Sequence, residues 1–119
     1  YNDWHIESWC DAHPGRFIPL SVPTLWDPEL MADEVRRVEK KGCHAVTFSE
    51  NPAPLGLPSW HSDHWDPFLA ACADEGTVVC VHIGSSSEMV ITAPDAPMDV
   101  LITLSPINIV KAAADILWS

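Results

Sequence analysis

With 119 residues, 47% of them hydrophobic, the chain has material for about one small domain around a single core. It is too short for a complete eight-stranded α/β barrel, which takes about 250 residues. A formal net charge of −11, with only six Lys and Arg, argues against nucleic acid and against an anionic membrane as partners.

The first residues, YNDWHIESWCDAHPG, read as a helix capped by Asn2 or Asp3 and ended at His13-Pro14-Gly15, since Pro disfavours helical geometry in the residue before it. Residues 17–22, FIPLSV, form an expected short strand, with Pro19 suited to a strand end or an irregular position. In WDPELMADEVRRVEKKG the helix signals agree: Asp27 at the N-cap, Pro28 at N1, acids early, bases late and Gly42 at C′, with Leu30, Met31, Val35 and Val38 on one face. CHAVTFSE, 43–50, is a second strand, followed by a Pro-rich loop. HWDPFLAACADEG is a helix with Trp65, Phe68, Leu69 and Cys72 on one face, and TVVCVHI is a third strand of buried type. After an irregular stretch, 84–98, come a short helix and a longer one starting at Ser105-Pro106.

Alternation at this spacing predicts an α/β chain of right-handed βαβ units with a parallel sheet. Chemistry in such sheets gathers at the carboxyl ends of the strands. Those ends are Pro23 to Trp26, Ser49-Glu50-Asn51 and His82 to Ser87.

Signatures for dinucleotides, nucleoside triphosphates, esterases and HExxH zinc sites are absent. His82, at the end of the third strand, is either a core histidine satisfied by a carbonyl or a metal ligand or catalytic group. In SWHSDHWD, His61, Asp63, His64 and Asp66 suggest a metal, but the preferred role is a helix start with Ser62 or Asp63 and Asp66 as a capping arrangement. Glu50 has the position of a general acid or base or a substrate contact, although a Glu beside a loop is usually solvated. Ser85, Ser86 and Ser87 offer hydroxyls and backbone N–H groups to a carboxylate, or are simply loop. Six Trp imply large buried area, or else an aromatic cleft or the subunit interface of a homodimer.

Cys10, Cys43, Cys72 and Cys80 show no CxxC or zinc-knuckle spacing and read as reduced, buried thiols of a cytoplasmic protein. No leader and no apolar stretch of about 18 residues able to cross a bilayer is expected, so the chain reads as soluble, with no membrane partner. Both ends look cut, as in an excerpt of a longer polypeptide.

HPGRFIPLSVPTLWDPELMADEVRRVEKKGCHAV, HWDPFLAACADEGTVVCVHIG and the Ser-rich loop after them resemble the amidohydrolase-related family of the amidohydrolase superfamily, the aminocarboxymuconate semialdehyde decarboxylase-like group. The resemblance implies that residues 1–119 are about strands 3 to 5 of a TIM (β/α)8 barrel. It also implies a divalent metal, zinc first and manganese second, with His82 as the fifth-strand ligand and the other ligands outside the chain. Glu50 and Ser85 are then the expected substrate-binding residues. Zinc takes about three or four protein ligands, so the segment alone is expected to be inactive. The implied parent hydrolyses or non-oxidatively decarboxylates a small carboxylated molecule. The competing reading is a non-catalytic α/β domain used for protein association.

Overall fold

The computed structural model describes residues 1–119, in the order π-helix Trp4–Cys10, α1 (Pro28–Glu39), β1 (Ala45–Ser49), α2 (Asp66–Asp74), β2 (Val78–His82), α3 (Met98–Leu104) and α4 (Ile107–Leu117). The chain groups into two compact units, Tyr1–Phe48 with His64–Cys80, and Ser49–Asp63 with Val81–Ser119.

In the first unit the opening helix is wound wide, with Asp11 N–H reaching Ile6 O at 3.0 Å across five residues. Neither expected cap acts as one. Asp3 is helical and its carboxylate instead holds Arg37 and Lys41, each at 2.6 Å. The Asn2 side chain exchanges hydrogen bonds with both backbone groups of Val22, at 2.9 and 3.0 Å. Helix α1 starts as its residues dictate, the Asp27 carboxylate accepting from the N–H groups of Glu29 and Leu30 at 3.1 Å. Its buried stripe is Met31, Ala32, Val35 and Val38; Leu30 is half exposed, so the apolar face is rotated toward Ala32 from the expected one.

Helix α1 packs against α2, whose buried Phe68, Ala71 and Cys72 continue the core with Trp65 and Phe48. Phe48 stacks on Phe68 at 5.5 Å and meets Trp65 edge-on at 5.0 Å. A single turn, Asp63–Trp65, precedes α2, whose N-cap position falls on Trp65 with no side-chain cap. The segment does start a helix, as expected.

The α/β character holds, with a small sheet of two parallel strands, β1 and β2. The first expected strand, 17–22, is not formed. It shrinks to one parallel bridge, Ser21 N–H to Ala45 O and Thr47 N–H to Ser21 O, both 2.9 Å. Proline stops the ladder on both sides: the flanking rungs of this register need the N–H of residue 19 aimed at Cys43 O and that of residue 23 aimed at Thr47 O, and Pro19 and Pro23 have none. Strand β2 is not buried either. Val78 is 62% exposed and no residue of the strand is fully covered, because β2 pairs on one side alone.

The second unit has a thin apolar core. Helix α3 buries nothing and α4 buries only Asn108 and Ala112. Contrary to the expectation from sequence, Met98–Leu117 is long and apolar enough by length and composition to cross a membrane, at mean hydropathy 1.6. The run breaks between α3 and α4 at Ser105-Pro106, and two charged residues of α4 are held within the unit, Lys111 in an ion pair with Glu88 and Asp115 in contact with His61 Nε2, each at 3.3 Å.

The six tryptophans are mostly not core. Trp60 and Trp65 are buried, while Trp4, Trp9, Trp26 and Trp118 are exposed. All four cysteines are free thiols; Cys10, Cys43 and Cys72 are buried and Cys80 is partly covered. Burial pushes the Cys72 thiol up to about 11, which leaves it protonated and inert near neutral pH.

Candidate functional site

Strand β1 delivers Glu50 at its carboxyl end and β2 delivers His82 with the loop Gly84–Ser87. Gly84 turns the chain at φ +83°, a conformation that a Cβ would strain, and Ser87 follows at φ +64°, its N–H returning to Gly84 O at 3.2 Å. This tight reversal aims successive N–H groups inward.

Glu50 fills the resulting cradle. Its side chain is not solvated, as its place beside a loop suggested, but 2% exposed. One carboxylate oxygen accepts from Gly84 N–H at 3.0 Å and from the Ser86 hydroxyl at 2.5 Å. The other accepts from Ser86 N–H at 3.0 Å and the Ser85 hydroxyl at 2.7 Å. The Ser85 hydroxyl also lies 2.6 Å from His82 O, so its single proton is shared between a carboxylate and a carbonyl. Trp60 Nε1–H closes the other side, donating to Glu50 O at 3.2 Å.

Burial by itself raises the carboxyl pKa; the hydrogen bonds from Ser86, Ser85 and the backbone outweigh it and hold Glu50 at about 2. An anion with four donors has used its lone pairs. Glu50 is therefore a fixed charge at neutral pH, too weak a base to activate Ser85 or Ser86 as a nucleophile. The serines do offer hydroxyls and N–H groups to a carboxylate, and that carboxylate is the chain's own.

His82 is exposed, and its Nδ1 lies 2.8 Å from Ile83 O. A carbonyl only accepts, so Nδ1 carries the proton, which in a neutral ring leaves the Nε2 lone pair free, the tautomer of an Nε2 metal ligand. The donor set is incomplete. No three His, Cys, Asp or Glu side chains of this chain converge to hold a metal, so residues 1–119 do not form a metal centre by themselves. That holds for the HSDHWD stretch as well; His61 Nε2 pairs with Asp115 at 3.3 Å instead.

The structure thus brings together Glu50 and Ser85, and ties Ser85 to the backbone of His82. Ser86 donates to a carboxylate as the sequence offered, and the structure adds Gly84, whose only sequence signal was its place after a strand. Asn51 and Glu88 extend the network, the Asn51 amide donating to Glu88 at 3.2 Å; nothing in the local pattern announces that pair.

A sequence model described as amidohydrolase matches residues 1–114. A comparison with curated proteins found no significant match.

Proposed function

Given that the chain belongs to the amidohydrolase family, we propose that it forms part of a metal-dependent enzyme that hydrolyses, or non-oxidatively decarboxylates, a small carboxylated substrate. The family match over residues 1–114 carries this reading. The tautomer of His82 supports it. In this reading His82 is one ligand of a divalent ion, zinc before manganese, completed by side chains outside residues 1–119, and the whole is a TIM-type barrel of the aminocarboxymuconate semialdehyde decarboxylase-like group. Ser85 and Glu50 stand on the substrate side of His82, Glu50 acting by holding the loop in place. The enzyme is cytoplasmic, and residues 1–119 alone are inactive.

The test is metal content by mass spectrometry in the enzyme carrying this chain, alongside its melting temperature. His82→Ala should lower bound metal and activity together, since losing one of about four ligands weakens a site about 10- to 100-fold or more. Full metal content with only a lower melting temperature would show His82 to be structural.

The exposed aromatic row of Tyr1, Trp4, Trp9 and Phe17, with successive ring centroids 5.9 to 6.2 Å apart, favours a second reading, protein association through this face, including a homodimer. Sedimentation of wild type against Trp4→Ser, Trp9→Ser tests the homodimer: an unchanged monomer in both rules out self-association through this face.

A further inference from the structure

One peptide group links Glu50 to the ring of His82. The Ile83–Gly84 peptide is trans, so its N–H and C=O point in opposite directions. At one end Gly84 N–H donates to a Glu50 carboxylate oxygen at 3.0 Å; at the other, Ile83 O accepts from His82 Nδ1–H at 2.8 Å. A continuous path therefore runs from a carboxylate, through a backbone amide, to an imidazole.

A peptide whose N–H is bonded to an anion is polarised, so its carbonyl oxygen gains negative charge and becomes the stronger acceptor. Glu50 is buried, so solvent does little to screen that effect. The His82 ring is exposed, and its bond to Ile83 O is what selects the Nδ1–H tautomer and sets where Nε2 faces. Ser85 steadies the preceding peptide, its hydroxyl lying 2.6 Å from His82 O and 2.7 Å from the second Glu50 oxygen.

We propose that Glu50 is a positioning residue for His82: through the Ile83–Gly84 peptide it strengthens the Nδ1–H bond, holds the ring in that tautomer and makes Nε2 the better electron-pair donor. Metal-binding histidines are commonly set by a carbonyl or a carboxylate on the other ring nitrogen. Here the carbonyl makes the contact and the carboxylate acts behind it. The inference deepens the metal reading of His82 and rests on it for zinc affinity, whereas the tautomer is read without metal.

The test uses the ¹⁵N-labelled enzyme carrying this chain, stripped of metal by a chelator, at a pH where imidazole is neutral. Long-range ¹H–¹⁵N spectra give the tautomer from the His82 ring nitrogens, and the Gly84 amide proton reports its bond to Glu50. Wild type should hold the Nδ1–H form in roughly tenfold excess, the size of one hydrogen bond, with the Gly84 proton shifted downfield. Glu50→Gln takes the charge off that bond; it should cut the excess several-fold, move the Gly84 proton upfield and weaken zinc binding about tenfold. Ser86→Ala removes a donor to Glu50 but spares the peptide link, and should lower the melting temperature while leaving the tautomer ratio unchanged. A predominant Nε2–H form in wild type would overturn the proposal even where Glu50→Gln fails to fold. So would an unchanged ratio or an equal zinc affinity in Glu50→Gln, or an equal loss of the ratio in Ser86→Ala, which would leave Glu50 a brace for the loop and nothing more. A tautomer that follows Glu50 in a protein that binds no zinc would support the link and remove the metal reading instead.

Discussion

A carboxylate tolerates burial when donors replace its water, and at Glu50 four of them do. Replacing it by Gln keeps the shape but turns an NH₂ group toward N–H and O–H donors. Glu50→Gln should cost about 2 kcal/mol at neutral pH, the usual penalty for spoiling a buried charged hydrogen-bond cluster. The pH dependence follows from the depressed pKa. With 4.5 as the ordinary value and about 2 in the folded chain, the stabilisation is complete above about 4.5 and is lost as pH falls toward about 2. Urea denaturation of both proteins should show the gap between them closing over that window; a constant gap would mean that the charge is not what stabilises the loop. Glu50 was visible in sequence as a strand-end acid. The serines were visible as donors to a carboxylate, but their pairing with Glu50 was not, because a Gly-Ser-Ser-Ser run has the same composition whether it wraps an anion or faces water.

At the scale of elements, local chemistry wins where it is self-contained. Asp27 caps α1 using only the two N–H groups just beyond it, so Asp27→Ala should lower stability by about 1 kcal/mol in the same assay. The failed strand is as instructive. Ser21 sits in parallel register beside β1; Pro23 has no donor for the rung on one side, and the missing N–H of Pro19 stops the ladder on the other. Pro19→Val restores that N–H; amide hydrogen exchange should find a protected proton at position 19, bonded to Cys43 O. A freely exchanging amide there would put the cause elsewhere in the segment. Helix faces were less legible. Leu30 satisfies the helical period as well as Ala32 does, and only tertiary packing selects Ala32 for burial.

For the molecule as a whole, the tryptophans report how much apolar surface this chain leaves outside. Acrylamide should quench most of the fluorescence, the protected remainder belonging to Trp60 and Trp65. Replacing those two by Phe should remove the protected fraction without touching the rest. A largely protected emission in wild type that becomes quenchable on dilution would place Trp4 and Trp9 in a subunit interface, consistent with association through the aromatic row.

Residue type and order were enough for the α/β alternation, the capped helix α1, the break at Ser105-Pro106 and the strand-end positions of Glu50 and His82, because each depends on backbone rules acting over a few residues. Tertiary structure alone decided that the Glu50 carboxylate is consumed by a loop 34 to 36 residues away in sequence. It also decided that four of six tryptophans stay outside. Those outcomes depend on which groups meet across long separations, and pairing over such distances is set by packing, which no local pattern encodes.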